Sequence, residues 1–194
     1  MTGGKTSTPK KDHEIFQALY HMKVDPKGGI TKLEKSARSG SVESMLNLAA
    51  VYSSGKFVSK DIKKAQEWYD RAYIADPKQS AYFFGRFCFA QHDIVRAEEI
   101  FSRGVSLGDT SCKMWLAHLY LSYYPEKKRQ GLTLLRDAVH EGNFRAKLYW
   151  GKLLRDGKLD GQPKNTFKGA LIAVSALIQM IFATIRNPRD VRMR

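Results

Sequence analysis

Two cysteines in 194 residues are too few for a disulfide framework, and Cys88 and Cys112 have no metal-ligand spacing. They read as reduced, buried thiols of a cytosolic domain. The signatures of catalysis are missing as well. No glycine-rich nucleotide fingerprint and no HExxH pair occurs. GGKTS at residues 3–7 resembles the end of a phosphate-binding loop, but the glycine needed five positions before its Gly-Lys pair cannot exist. The histidines at 13, 21, 92, 118 and 140 are scattered, and none lies beside a cysteine at ligand spacing. No catalytic residue, metal or cofactor is therefore assigned, and the chain is not expected to be an enzyme. MTGGKTSTPKK has no apolar run behind it, so no secretory signal is expected and the bulk of the chain should stay in the cytoplasm.

Acidic residues are also scarce. Nineteen Asp and Glu face 33 Lys and Arg, a formal charge of +14 that calls for an anionic partner. The excess is uneven: residues 1–126 hold 18 basic and 14 acidic groups, whereas residues 127–194 hold 15 and 5. Hydrophobic content of 43% suits a packed, globular chain rather than a disordered one.

What is present is repetition. Ser44, Leu48, Ala49 and Tyr52 recur in the same spacing as Ser80, Phe84, Gly85 and Cys88, then Cys112, Leu116, Ala117 and Tyr120, then Ala146, Trp150, Gly151 and Leu154. The starts lie 36, 32 and 34 residues apart. A second frame follows each of the first three: Ala65, Trp68, Tyr69, Ala72; Ala97, Ile100, Phe101, Gly104; Gly131, Leu134, Leu135, Ala138. Both frames put apolar residues on one helical face. Gly40, Gly108 and Gly142, and Asp76-Pro77 in the second unit, stand four residues before each first frame, where a left-handed glycine or a proline ends the preceding helix. Asp61 and Asp93 stand four residues before the second frame, as caps. The unit is helix, loop, helix, tight turn, with Ala49, Gly85, Ala117 and Gly151 letting the paired helices approach closely.

These residues resemble the Sel1-like repeat, a relative of the tetratricopeptide repeat. The first unit carries the pattern best, in Leu48-Ala49, Tyr52, Gly55, Asp61, Lys64-Ala65, Trp68-Tyr69 and Arg71-Ala72. Later units depart from it: the inter-helix loop is short around Gln91–Asp93, and Tyr123 stands where the family has glycine. The resemblance covers residues 41–160, with 13–40 as a degenerate leading helix pair (Ile30, Leu33 and Ala37 on its second helix) and 1–12 as a flexible N-terminus. It implies an all-α, right-handed α-solenoid of helix-turn-helix repeats whose concave face binds a protein partner. Tyr73, Tyr82 and Phe83 are surplus to the core frame and are the candidate partner-binding anchors.

From Gly169 to Ile185 the chain reads GALIAVSALIQMIFATI, 17 residues without a charge and apolar on every side of a helical wheel. Such a helix is about 25 Å long, at the short end for a bilayer core. Residues 167–185 are therefore expected to form a transmembrane helix, flanked by Lys168 and Arg186, with Arg189 in a basic tail, 186–194. Gly169, Ile172, Ala173 and Ala176 also continue the second-helix frame, which leaves a packed helix or a subunit contact open. Both flanks are basic, so the positive-inside rule conflicts with a simple crossing. A single pass with a cytoplasmic repeat domain is preferred, with shallow insertion and both ends cytoplasmic as the runner-up. For a bacterial member of the family the membrane would be the inner one. The basic stretch from Lys127 to Lys168 would then lie near anionic headgroups. Lys127-Lys128-Arg129 beside Tyr123-Tyr124 also has the make-up of a nucleic-acid contact, but charge next to an apolar helix fits a membrane surface better. The function expected is a non-enzymatic, membrane-associated scaffold. The alternatives are a soluble homo-oligomer joined through the apolar helix and a basic nucleic-acid adaptor.

Overall fold

In the computed structural model the described residues are Tyr20, 24–159 and 164–186, and their ordered elements are all helical. They form α1 (Pro26–Arg38), α2 (Val42–Ser54), α3 (Ile62–Ala75), α4 (Pro77–Ala90), α5 (Ile94–Ser106), α6 (Thr110–Tyr123), α7 (Lys128–His140), α8 (Phe144–Arg155) and α9 (Thr166–Arg186). A single 3-10 turn, Pro125–Lys127, joins α6 to α7. The first 12 residues, the first helix of the leading pair and the tail beyond Arg186 lie outside the described residues.

One device ends a helix and starts the next. Gly40, Gly108 and Gly142 have φ of 87, 81 and 83°, and His92 takes the same left-handed region at 61°. The residue that follows each of them turns its N–H back across the helix end: Ser41 to the Ser36 carbonyl (3.2 Å), Asp93 to Cys88 (3.0 Å), Asp109 to Gly104 (3.0 Å) and Asn143 to Ala138 (3.0 Å). That same residue then caps the next helix. Ser41 accepts from the Ser44 N–H, Asp93 from Arg96, Asp109 from Ser111 and Cys112, and Asn143 from Ala146. Asp76 does this ahead of Pro77, accepting from the Gln79 N–H at 3.1 Å. Asp61 caps α3 through the Lys64 N–H at 3.0 Å.

The chain divides into two compact units, residues 1–87 and 88–194, the division falling within α4. In the first, α2 packs on α1 and on α3. Leu33, Leu48, Ala49, Ala65, Ala72 and Phe84 are buried there. Tyr69 stacks on Phe84 at 5.7 Å and lies 4.9 Å from Phe87.

In the second unit α6 packs on α5 and α7, and α8 on α7 and α9. Its core joins Met114, Ala117, Leu135, Ala138, Ala146, Leu153, Leu154 and Leu159. Close backbone approach sets the pairing. A Cβ on Gly131 would stand 3.2 Å from the Ala117 carbonyl oxygen, so α7 lies directly against α6.

The apolar α9 is the second helix of a fourth pair. Its start repeats the loop of the first unit: Gly157, like Gly55, has φ of 68°. The N–H of Asn165 bonds the Leu154 carbonyl (3.3 Å) as that of Asp61 bonds Tyr52 (2.9 Å). Asn165 then caps α9 through the Lys168 N–H at 2.8 Å. Gly169 meets Gly151 of α8 with no room for a side chain on either: a Cβ on Gly169 would fall 2.6 Å from the Gly151 carbonyl oxygen, and one on Gly151 2.8 Å from that of Gly169. Of the two open readings of this segment, packing on the repeat is therefore realised, whichever environment its other face meets.

Substituting Gly169→Ala should accordingly force α8 and α9 apart and cost about 1–3 kcal/mol, the usual penalty of overpacking. Urea unfolding of the full chain would read it as a lowered midpoint. An unchanged midpoint would mean that the two helices are not in contact.

Candidate functional site

A cluster of half-buried aromatic side chains lies on the first-position helices of the second unit. Trp115 and His118 of α6 meet Phe89 of α4 and Tyr149 of α8, and His118 is the hub. Its ring lies 5.5 Å from Phe89, 5.6 Å from Trp115 and 5.1 Å from Tyr149. Phe89 also meets Trp115 edge-on at 5.5 Å and Tyr123 at 5.7 Å. Trp115 stacks inward on the buried Phe101 at 6.1 Å, which fixes its plane. Phe89, Trp115, His118 and Tyr149 are half-buried, and Tyr123 is exposed. Burial, reinforced by the charge of Lys152, holds the His118 imidazole below its ordinary pKa, so it is neutral at pH 7. The result is a largely uncharged, rigid aromatic face suited to apolar or aromatic side chains.

Beside it the 3-10 turn is locked by one cation. Lys127 pairs with the Glu98 carboxylate of α5, and its ammonium sits 4.9 Å from the centre of the Tyr120 ring and 4.4 Å from that of Tyr124. Burial of Glu98 opposes its ionisation, but hydrogen bonds from Lys127, Tyr120 and Tyr124 outweigh it and hold the carboxyl below the usual range. Lys127, expected to face anionic headgroups, is thus engaged within the fold. Lys113 likewise binds Glu141, which also accepts from the Thr110 hydroxyl at 2.8 Å; these bonds lower the Glu141 pKa.

The sequence-predicted anchors lie in the first unit and do not form one patch. Tyr73 is half-buried, edge-on to Phe84 at 5.8 Å. Phe83 is half-buried against Tyr82 at 5.0 Å. Tyr82 is 1% exposed and therefore offers no surface to a partner; its hydroxyl accepts from Arg86 at 3.2 Å. The cluster of Trp115, His118 and Tyr149 was not singled out from sequence. A signal exists: Phe83, Trp115 and Tyr149 each stand three residues after the start of their first-helix frame. Of the predicted anchor flanks, Lys168 and Arg186 are exposed at the two ends of α9, and Arg189 lies outside the described residues.

The outward side of α9 is the other unusual surface. Phe167 is 75% exposed, Phe182 68% and Ile185 71%, with Leu171, Val174, Ile178 and Ile181 about half exposed between them. Among the described residues α9 is the helix long and apolar enough to cross a membrane. No group of three or more His, Cys, Asp or Glu able to hold a metal occurs among those residues.

No family model matches the sequence, and no curated protein does. Solved structures do. A Sel1 repeat protein from Oxalobacter formigenes superposes with a TM-score of 0.68 at 19% identity, over 87% of this chain and 73% of that one. The fold is that of the Sel1-like repeat proteins. The immunity protein Pa5087 of Pseudomonas aeruginosa matches with a TM-score of 0.65 at 22% identity, over 90% and 68% of the two chains. A protective antigen of uropathogenic Escherichia coli, c5321, displays the same fold with a TM-score of 0.62 at 19% identity, over 88% of this chain and 38% of that one. At such identities the likeness establishes the Sel1-like repeat fold and leaves function to the surfaces.

Acid should loosen the second unit in two steps. The depressed pKa of His118 gives stability that is complete above about pH 6.5 and is lost as pH falls through the lower folded value. Glu98 and Glu141, also depressed, give stability present above about pH 4.5 and lost below it. His118→Gln should remove the first step and leave the second, as read from urea midpoints measured from pH 7 down to about pH 2. A first step that survives the substitution would contradict this assignment.

Proposed function

We propose that the protein is a helical-repeat adaptor that holds a protein partner on its aromatic first-helix face and is kept at a membrane by α9. The observation that carries the partner reading is the set of half-buried rings around His118. Rings already fixed by their neighbours lose little conformational freedom on binding, which is why such residues dominate the energetics of interfaces. Helix pairs that contact mainly their neighbours present long rows of first-helix side chains, and in repeat proteins these rows are the binding surface. Tyr73 and Phe83 remain candidate contacts on the first unit. GVSLG at 104–108 has the spacing of a nucleophile elbow, but Ser106 ends α5 with its hydroxyl on the Arg103 carbonyl at 2.7 Å and does not stand on a strand-to-helix turn.

The membrane reading rests on the continuous apolar stripe of α9 and on the basic groups around it. Lys164, Lys168 and Arg186 flank the stripe, and no acidic residue lies between 164 and 186. The repeats would stay on the cytoplasmic side. Anionic lipid matches this surface better than nucleic acid does, because apolar side chains rather than cations occupy its centre.

The test is capture from detergent with the full chain, followed by flotation with vesicles containing phosphatidylglycerol. Trp115→Ala with Tyr149→Ala should weaken partner capture by about thirtyfold, the loss of roughly 2 kcal/mol typical of a buried aromatic anchor, and leave flotation intact. Ile178→Glu with Phe182→Glu should abolish flotation and leave capture intact. Full capture by the aromatic variant would contradict the partner face, and a wild-type protein that stays at the bottom of the gradient would contradict the membrane reading.

A further inference from the structure

The contacts of α9 decide how it can meet a bilayer. At one end Gly169 abuts Gly151 and the Arg155 backbone of α8. Ten residues on, the Gln179 amide donates to the Gly142 carbonyl at 2.7 Å and accepts from the Lys147 ammonium at 2.9 Å. The two helices therefore lie antiparallel and side by side, and Gly169, Ile172, Ala176 and Gln179 face α8. Opposite them, Phe167, Leu171, Ile178, Ile181, Phe182 and Ile185 follow the 3.6-residue period and form one exposed stripe. Composition alone makes the helix apolar all round. Once α8 covers one side, only a one-sided stripe remains.

A helix held in this way cannot cross a bilayer unaccompanied. Beside it α8 carries Arg145, Lys147, Lys152 and Arg155, and no acidic group. Crossing would carry four cations to the depth of the hydrocarbon, where ionised side chains are strongly disfavoured. Undocking would instead break the contact between Gly151 and Gly169, uncover the buried Ala176 and give up the bonds of Gln179 to Gly142 and Lys147. Entry of the stripe alone avoids both. A second copy of this surface is a poor occupant, since it would set Lys164, Lys168 and Arg186 against their own counterparts, while the nearby carboxylate of Asp156 is already paired with Arg155 at 3.2 Å. Anionic headgroups supply the missing charge.

Building on the membrane reading above, we infer that α9 remains docked on α8 and enters only the facing leaflet of an anionic bilayer, lying in the plane of the interface with both of its ends on the side of the repeats. This is the shallow arrangement that the sequence places second to a single pass, here given its contacts. Leu171 and Ile185 are 14 residues apart, about 21 Å along the helix. In the plane they and Ile178 share one shallow depth. In a spanning helix Ile178 sits near the bilayer centre and the other two lie in opposite leaflets.

The experiment places single cysteines by Leu171→Cys, Ile178→Cys or Ile185→Cys in the full chain and labels each with an environment-sensitive dye. Cys88 and Cys112 are buried in the folded protein. The label is then quenched by lipids carrying a nitroxide near the headgroup or near the chain end, in vesicles containing phosphatidylglycerol. The expected result is equal quenching at all three positions by the shallow nitroxide and little by the deep one. Preferential deep quenching at Ile178 alone would overturn the inference while leaving membrane binding in place. Absence of quenching and of co-flotation would overturn both, and a constant dimeric mass without vesicles would assign the stripe to a second copy instead.

Discussion

Backbone contact between paired helices is the constraint on which the second unit depends. Where α8 crosses α9, Gly151 and Gly169 leave no space for a Cβ on either helix, and where α6 meets α7, Gly131 rests against the Ala117 carbonyl. Such approaches let short helices bury whole faces, and they tolerate little change because a close-packed interior has no slack. The remaining geometry follows. With α9 seated at Gly169, its second turn meets the core through Ile172, and Gln179 reaches the Gly142 turn that begins α8. The last helix is thereby tied at both ends of its partner.

Charge is distributed according to the same plan. Part of the basic excess is engaged inside the second unit, where Lys127 lies among Glu98, Tyr120 and Tyr124, and Lys113 lies on Glu141. These pairs fix turns. Lys164, Lys168 and Arg186 flank the exposed apolar stripe of α9, and no acidic residue stands between them. A net charge of +14 alone does not separate these two uses. Their placement does: one set orders the fold, and the other surrounds the surface offered to an anionic partner.

Much of this is legible in the sequence, because turns and caps are local chemistry. Gly40, Gly108 and Gly142 mark left-handed turns, and Asp61 and Asp93 mark helix starts, each through interactions within a few residues. The frames that predict the helices also predict their buried faces, from Leu48 to Leu154. Long-range pairing is not written locally. Lys127 looks like part of a solvated charge run because Glu98 is 29 residues away. Tyr82 and Phe83 are neighbours of similar character, and period alone does not tell that one is buried and the other half-exposed. The rings around His118 are recoverable only by aligning the units and reading the third residue after each start. For α9, composition gives an apolar cylinder, and only the packing of Gly169, Ala176 and Gln179 shows which side the protein covers.

Hydrogen exchange of the amides of α8, measured on the full chain with and without anionic vesicles, tests most directly whether the last helix belongs to the solenoid in both environments. If α9 stays docked, the amides of Phe144–Arg155 keep their protection when vesicles are added and those of Thr166–Arg186 gain it. Faster exchange across α8 on adding vesicles, with protection gained only in α9, would show that the helix leaves its partner for the lipid, and would contradict the docked geometry.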